Sequence, residues 1–349
     1  MFVYKKFCSN SNESGCLSFL FIFLLAISAC QSNNKSLSKS VVTLPAANDD
    51  YFQEIGKEIG LDFVHSIGDN ELTNIVESSG AGAAFLDYDQ DGYIDLYVCN
   101  GTWVKGLSSG DEPDKMPENH LYHNCGNGIY EDVTKKAGVG GPSYSMGVTV
   151  GDYNNDGYPD LFVSNYGTNV LYKNNGNGTF TDVTKRAKVG GGENQFSVGA
   201  VWLDYDNDGF LDLYAGNYLN FDPNYKYFYA PDGFPGPLAY DAQPDVLYRN
   251  NGDGTFEDVT KKMGIIDVDG RAMGVGATDY DDDGFVDIYV ANDHSMNYLW
   301  HNNGGKGFTD MGTPSGTAFG QSGESAVSMS VDFADYTGSG RMDMFISDD

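Results

Sequence analysis

Four stretches of this chain place an oxygen-bearing side chain at every second position and then a glycine, a spacing that gathers hard oxygen donors around one turn. The first is Asp87-Tyr88-Asp89-Gln90-Asp91-Gly92-Tyr93-Ile94-Asp95. The same register recurs as Asp152, Asn154, Asp156, Tyr158 and Asp160, as Asp204, Asp206, Asp208, Phe210 and Asp212, and as Asp279, Asp281, Asp283, Phe285 and Asp287. A degenerate fifth copy keeps Asp335, Thr337, Ser339 and Asp343. Calcium takes about six to eight such oxygens at roughly 2.3–2.6 Å. The expected ligands are the side chains at loop positions 1, 3, 5 and 9 and the backbone carbonyl at position 7, that of Tyr93, Tyr158, Phe210 or Phe285. Asn154 keeps an oxygen with one charge fewer, and Thr337 and Ser339 make the fifth loop a weak or empty site.

Other chemistries fit less well. An EF-hand needs Glu at its twelfth position, where this chain has Val98 and Val163. Magnesium prefers octahedral sites that retain water. The five histidines (His65, His120, His123, His294 and His301) lack zinc-ligand spacing. His120 and His123, three apart on a strand, point to opposite faces and read as packing or surface residues. Aspartates also cap turns, but four carboxylates within nine residues would then repel one another uncompensated.

Composition bears on the same question. Asp and Glu number 50 against 20 Lys and Arg in 349 residues, a formal charge of −30. A field of that sign repels nucleic acid. It also opposes compaction unless cations neutralise it. The five loops hold 17 carboxylates at ligand positions, and five calcium ions would offset about a third of the net charge. With 40% hydrophobic residues, 24 Tyr and 21 Phe, the chain is too apolar for acidic disorder, and its 45 Gly show no collagen triplet.

The loops must sit between strands. Each follows a short Gly/Val/Ala run, such as Met146 to Gly151 or Met273 to Thr278, and precedes a β-prone run. Two further runs flank an Asn-Gly turn, as in Val170 to Thr184 and Val246 to Thr260. Four short strands per unit make a propeller blade. Successive loops begin 65, 52, 75 and 56 residues apart, and the long intervals hold insertions at 101–118 and 218–244. The Asp-x-Asp-x-Asp-Gly-x-x-Asp loop, followed by Asn-x-Leu-Tyr-x-Asn-x-Gly-x-Gly-x-Phe-x-Asp-Val-Thr, resembles the FG-GAP/VCBS repeat of integrin-α-type β-propellers. More narrowly it is similar to bacterial ASPIC/UnbV, cartilage acidic protein-like lipoproteins. The resemblance implies an all-β propeller over 51–349. Residues 52–61 align with 130–139, which predicts a lone fourth strand that closes the ring. A seven-bladed ring would need on the order of 100–150 further residues, so a C-terminal truncation is expected, with an open or five-bladed ring as the alternative.

Residues 1–29 carry Lys5, Lys6 and the apolar run Leu17 to Ile27, the proportions of a signal peptide. The run ends Ile27-Ser28-Ala29-Cys30, which resembles a bacterial lipobox with Cys30 as the lipidated residue. Gln31 after it implies the outer membrane, and 30–50 reads as a flexible tether. A Cys99–Cys125 bridge is not expected, because the two cysteines end neighbouring antiparallel strands. Gly106 to Gly110 matches Gly-x-Ser-x-Gly, but within a polar insertion rather than a strand-to-helix elbow. No phosphate loop or dinucleotide fingerprint occurs. The aromatic insertions, with Trp103 in one and Tyr218, Phe221, Tyr225, Tyr227, Phe228, Tyr229, Phe234 and Tyr240 in the other, either cover the ring or recognise a partner. The sequence therefore points to a lipid-anchored, calcium-stabilised module that binds a protein or glycan, with a polysaccharide hydrolase or lyase as the alternative.

Overall fold

The computed structural model describes residues 53–69, 71–141, 143–225, 233–320, 322–325 and 327–348. Cys30, the leader, the tether and Tyr227, Phe228 and Tyr229 lie outside the described residues. Eighteen strands form four complete antiparallel sheets and a fifth of two strands. The first sheet holds β1 (Ala83–Leu86), β2 (Asp95–Val98), β3 (His120–Asn124) and β4 (Tyr130–Asp132). The second holds β5 (Tyr144–Gly151), β6 (Asp160–Tyr166), β7 (Val170–Asn174) and β8 (Phe180–Asp182). The third holds β9 (Ser197–Leu203), β10 (Asp212–Asn217), β11 (Val246–Asn250) and β12 (Phe256–Asp258). The fourth holds β13 (Ala272–Thr278), β14 (Asp287–Asn292), β15 (Tyr298–Asn302) and β16 (Phe308–Asp310), and the fifth β17 (Ser328–Ala334) and β18 (Asp343–Asp348). Every sheet is a meander in chain order, the blade of a β-propeller.

Blades join through their first strands: β1 meets β5, β5 meets β9, β9 meets β13 and β13 meets β17. Small residues permit this approach. A Cβ on Gly147 would lie 2.3 Å from the Val198 carbonyl oxygen, and the Gly82 N–H donates to the Met146 carbonyl at 2.8 Å. Between blades lie apolar layers. The tyrosine at loop position 2 enters the layer and meets a fourth-strand Phe of the next blade: Tyr88 against Phe180, Tyr153 against Phe256 and Tyr205 against Phe308, with centroids 6.2, 5.7 and 5.9 Å apart. Aromatic rings of this size each remove about 150–250 Å² from water. Tyr280, the equivalent residue of the fourth loop, is 40% exposed, since the fifth blade has no fourth strand among the described residues to cover it.

The described part of the N-terminal segment is not the lone fourth strand that its alignment predicts. Residues 56–60 form a turn, and 53–55 pair with no strand. A fourth strand needs a third beside it, and no described strand pairs with this segment in a sheet. The turn nevertheless docks as a blade's closing turn does. The Ile59 carbonyl accepts the Tyr130 N–H at 2.7 Å, as the Met263 carbonyl accepts the Phe308 N–H at 2.7 Å.

A meander puts the acidic loops and Asn-Gly turns on one rim and both insertions, which join second to third strands, on the other. Most of the described aromatics of the second insertion turn inward. Tyr218, Leu219 and Tyr240 are buried with Tyr144, Met146 and Phe196 and with Ile75 and Val76, from a short helix capped by Asn74, and Phe221 and Phe234 pack against them. Cys99 is a buried thiol at the end of β2 on the insertion rim, Cys125 follows β3 on the loop rim, and the two are not bridged.

Gly147→Ala should cost at least about 2 kcal/mol in urea unfolding, because backbone rather than a flexible side chain blocks the added Cβ. Gly80→Ala, with open space around its Cβ, should be near neutral. Equal effects of the two would contradict close packing of the first strands.

Candidate metal centre

Within each loop the acidic positions divide into two kinds. The position-1 carboxylate caps the turn. Asp87 accepts the N–H groups of Asp91 and Gly92 at 3.1 and 3.0 Å, and Asp152, Asp204, Asp279 and Asp335 repeat the pattern. The following turn needs φ near +90° at position 6, where Gly92, Gly157, Gly209, Gly284 and Gly340 lie between +85° and +90°. To this extent the turn-capping reading of the aspartates holds.

Position 9 is buried. Asp95, Asp160, Asp212 and Asp287 are at most 1% exposed, and each opens its blade's second strand. One oxygen accepts the position-2 tyrosine N–H, at 3.0–3.3 Å. The other accepts the N–H of the last third-strand residue, Asn124, Asn174, Asn250 or Asn302, always at 2.7 Å. From the second blade onward that asparagine's side chain also reaches back one blade: Asn174, Asn250 and Asn302 donate to the carbonyls of Tyr88, Tyr153 and Tyr205, each at 2.8 Å. Desolvation raises these carboxyls, to about 7 for Asp160 and Asp212 and about 6 for Asp287, with Asp95 shifted the same way.

Positions 3 and 5 are left to face a cation. Position 5 accepts one N–H, that of position 7 (Tyr93, Tyr158, Phe210 or Phe285), through Oδ1. Among the described residues no backbone N–H reaches Asp89, Asp206 or Asp281 at position 3, and the Oδ1 atoms of Asp89 and Asp206 are buried without a partner. Carboxylate oxygens of Asp87, Asp89 and Asp95, of Asp204, Asp206 and Asp212, and of Asp279, Asp281 and Asp283 lie within 4.8 Å of one another. Two ligands on opposite sides of a calcium ion at about 2.4 Å span that distance. The residues present therefore fit the ion in loops 1, 3 and 4. In loop 2 the Asn154 amide donates to Asp160 at 3.1 Å. In loop 5 the exposed Asp343 accepts the Tyr336 and Thr337 N–H groups at 3.1 and 3.2 Å, and the Thr337 hydroxyl at 3.3 Å.

The third strand adds a basic side chain that the loop pattern alone does not reveal. His123 Nδ1 lies 3.2 Å from Asp95 and 3.6 Å from Asp89, so it faces the first loop while its ring also packs edge-on against Tyr88. His120 instead meets Asp132 at 2.9 Å. Lys173 pairs with Asp156. Arg249 reaches Asp206 at 2.8 Å and Asp208 at 3.2 Å, and His301 reaches Asp287 at 3.2 Å and Asp281 at 3.5 Å. The signal was available: the residue before the third-strand Asn is basic in all four blades. Neighbouring loops are also tied. The position-4 side chains of Gln90, Asn155 and Asn207 donate to the position-6 carbonyls of Gly157, Gly209 and Gly284. Ser108, centre of the Gly-x-Ser-x-Gly string, accepts the Val104 N–H at 3.1 Å within a turn.

The family model of the FG-GAP-like repeat matches residues 87–163, 152–215, 232–290 and 279–346. Cartilage acidic protein 1 from Mus musculus and from Homo sapiens are each 26% identical over 189 residues, covering 51% of this chain and 25% of theirs. The chain thus spans about a quarter of the length of these curated relatives. An Agrocybe aegerita lectin structure, described for recognition of non-reducing terminal N-acetylglucosamine, gives a TM-score of 0.41 at 18% identity over 76% of this chain and 60% of its own.

The raised position-9 carboxyls set a pH dependence for the chelated protein. Their folded state holds protons that the unfolded chain has released, so their contribution is complete below about pH 4 and is lost as pH rises to about 7. In EDTA, Tm should be higher near pH 5 than near pH 7.5, and Asp160→Asn with Asp212→Asn should shrink the difference. A Tm that climbs over this window would contradict the assignment.

Proposed function

The chain belongs to the FG-GAP-like repeat family, and from that premise we propose that it is a calcium-stabilised β-propeller binding module held on the cell-surface or periplasmic face of the bacterial outer membrane by a lipid on Cys30. The observation that carries the calcium reading is the buried, partnerless position-3 oxygen of Asp89 and of Asp206, each beside converging loop carboxylates. Asp87, Asp89, Asp91 and Asp95 would hold the ion in loop 1. Asp152, Asn154, Asp156 and Asp160 are their counterparts in loop 2, Asp204, Asp206, Asp208 and Asp212 in loop 3, and Asp279, Asp281, Asp283 and Asp287 in loop 4. Bound calcium would supply the positive charge that these carboxylates lack. The role is structural, since each ion would lie within its own blade's hairpin, and a ligand bound only by the folded state stabilises it by mass action.

Recognition is assigned to the opposite rim. There Ser66, Asp69, Trp103, Asp111 and Lys115 line a cavity of about 410 Å³, within the usual range of about 300–1,000 Å³ for ligand sites. An aromatic face beside carboxylate acceptors suits a glycan or a polar protein loop. A smaller cavity of about 260 Å³ lies between Tyr225, Pro237 and Leu238 of the second insertion and His294 of the turn between β14 and β15. Export and outer-membrane anchoring rest on the lipobox resemblance, and among the described residues no helix is long and apolar enough to cross a membrane.

Thermal unfolding in Ca²⁺, Mg²⁺ and EDTA, with bound metal measured by mass spectrometry, should give a calcium-specific rise in Tm and bound calcium. No shift and no bound ion would overturn the metal reading. For the recognition rim, Trp103→Ala and Asp111→Asn should each weaken capture on a glycan and surface-protein panel at least about tenfold, with the calcium response unchanged. Unaltered capture by both would remove that cavity from the account.

A further inference from the structure

The four loops are not equivalent: besides Asn154 at position 3 of loop 2, they differ in the basic side chain each third strand supplies. Arg249 places Nε and Nη2 on Asp206 Oδ2 and Asp208 Oδ2, the oxygens of positions 3 and 5 that an ion would need. Lys173 takes the corresponding Asp156 oxygen. Both side chains carry a permanent charge at neutral pH and have only donors, so neither can become a metal ligand. His123 and His301 occupy the same strand position beside the same kind of carboxylates, but an imidazole adds no permanent charge and has a ring nitrogen able to accept or ligate. A carboxylate oxygen each of Asp89 and Asp91 and a ring nitrogen of His123, and likewise Asp281, Asp287 and His301, fall within 4.8 Å of one another.

We propose that this third-strand residue sorts the loops by calcium affinity: Lys173 and Arg249 act as tethered counter-ions that make loops 2 and 3 weak, while His123 and His301 leave loops 1 and 4 as the strong pair. The proposal rests on the calcium reading above. Calcium affinity in oxygen-ligand loops follows the count of ligand charges. Loops 1 and 4 offer four carboxylates with no fixed cation on any ligand position, Arg341 meeting only the position-4 Asp282 at 3.3 Å, while loop 3 offers four against Arg249 and loop 2 three against Lys173. Loop 2 should therefore be weakest. The buried, partnerless Oδ1 of Asp206 marks what the counter-ion leaves unsatisfied, since Arg249 reaches only the other oxygen of that carboxylate.

The test is calcium titration of the full chain by calorimetry and native mass spectrometry. Wild type should show two tight ions followed by weaker binding. Arg249→Met should convert one weak site to a tight one, and Lys173→Met should raise loop 2 only to about the affinity of wild-type loop 3, each rise being on the order of tenfold or more for loss of a unit charge a few ångströms from a divalent ion. Arg249→Lys should stay at two, and His123→Lys should fall to one. Wild-type counts and affinities in both methionine variants, with calcium still bound, would overturn the sorting while leaving the calcium reading in place. No calcium bound by wild type or any variant would instead overturn the calcium reading.

Discussion

A carboxylate sealed from water is costly unless donors surround it, and each complete blade is assembled around one. Asp95, Asp160, Asp212 and Asp287 each tie the start of the acidic loop to the end of the third strand through two backbone N–H groups. The asparagine held in this way reaches the carbonyl of the preceding loop's tyrosine, and that tyrosine's ring fills the layer between blades. One buried charge thereby connects loop closure, strand order and blade-to-blade contact. The arrangement also concentrates negative charge on one rim, because the carboxylates at positions 1, 3 and 5 must follow wherever position 9 is anchored.

That rim and its opposite serve different physical purposes. On the loop side, backbone donors satisfy positions 1 and 9, position 5 is half satisfied, and position 3 is left to a cation, with adjacent loops linked by side chain to carbonyl bonds. On the insertion side, buried aromatic residues close over the first strands, and what stays accessible is a mixed polar and aromatic surface around Trp103 and Tyr225. Ions bound on the first rim would stiffen the scaffold without competing for the second.

The architecture was legible in the sequence because a nine-residue loop repeated in register leaves little freedom: Asp at position 9 opens the second strand in all five blades. The insertions were visible as departures from the period. Tertiary context decided the rest. Residues 56–60 carry the pattern of a blade's closing segment, yet 53–55 pair with no strand, because pairing depends on a neighbour and not on propensity. The second insertion's aromatics allowed packing over a blade or recognition of a partner, and Tyr218 and Tyr240 pack inward against Phe196 and Tyr144. His123 taken alone reads as a packing or surface residue, and only comparison with Lys173, Arg249 and His301 across blades exposes its place beside the loop.

The central claim is that the loop carboxylates converge to neutralise a metal ion. Crystals of the full chain grown with calcium, measured at a wavelength where calcium scatters anomalously, test it most directly. The account predicts anomalous peaks at about 2.3–2.6 Å from carboxylate oxygens of positions 1, 3, 5 and 9, strongest in loops 1 and 4. Folded loops without any peak would contradict it, and the aspartates would then be turn caps held together by the third-strand cations alone.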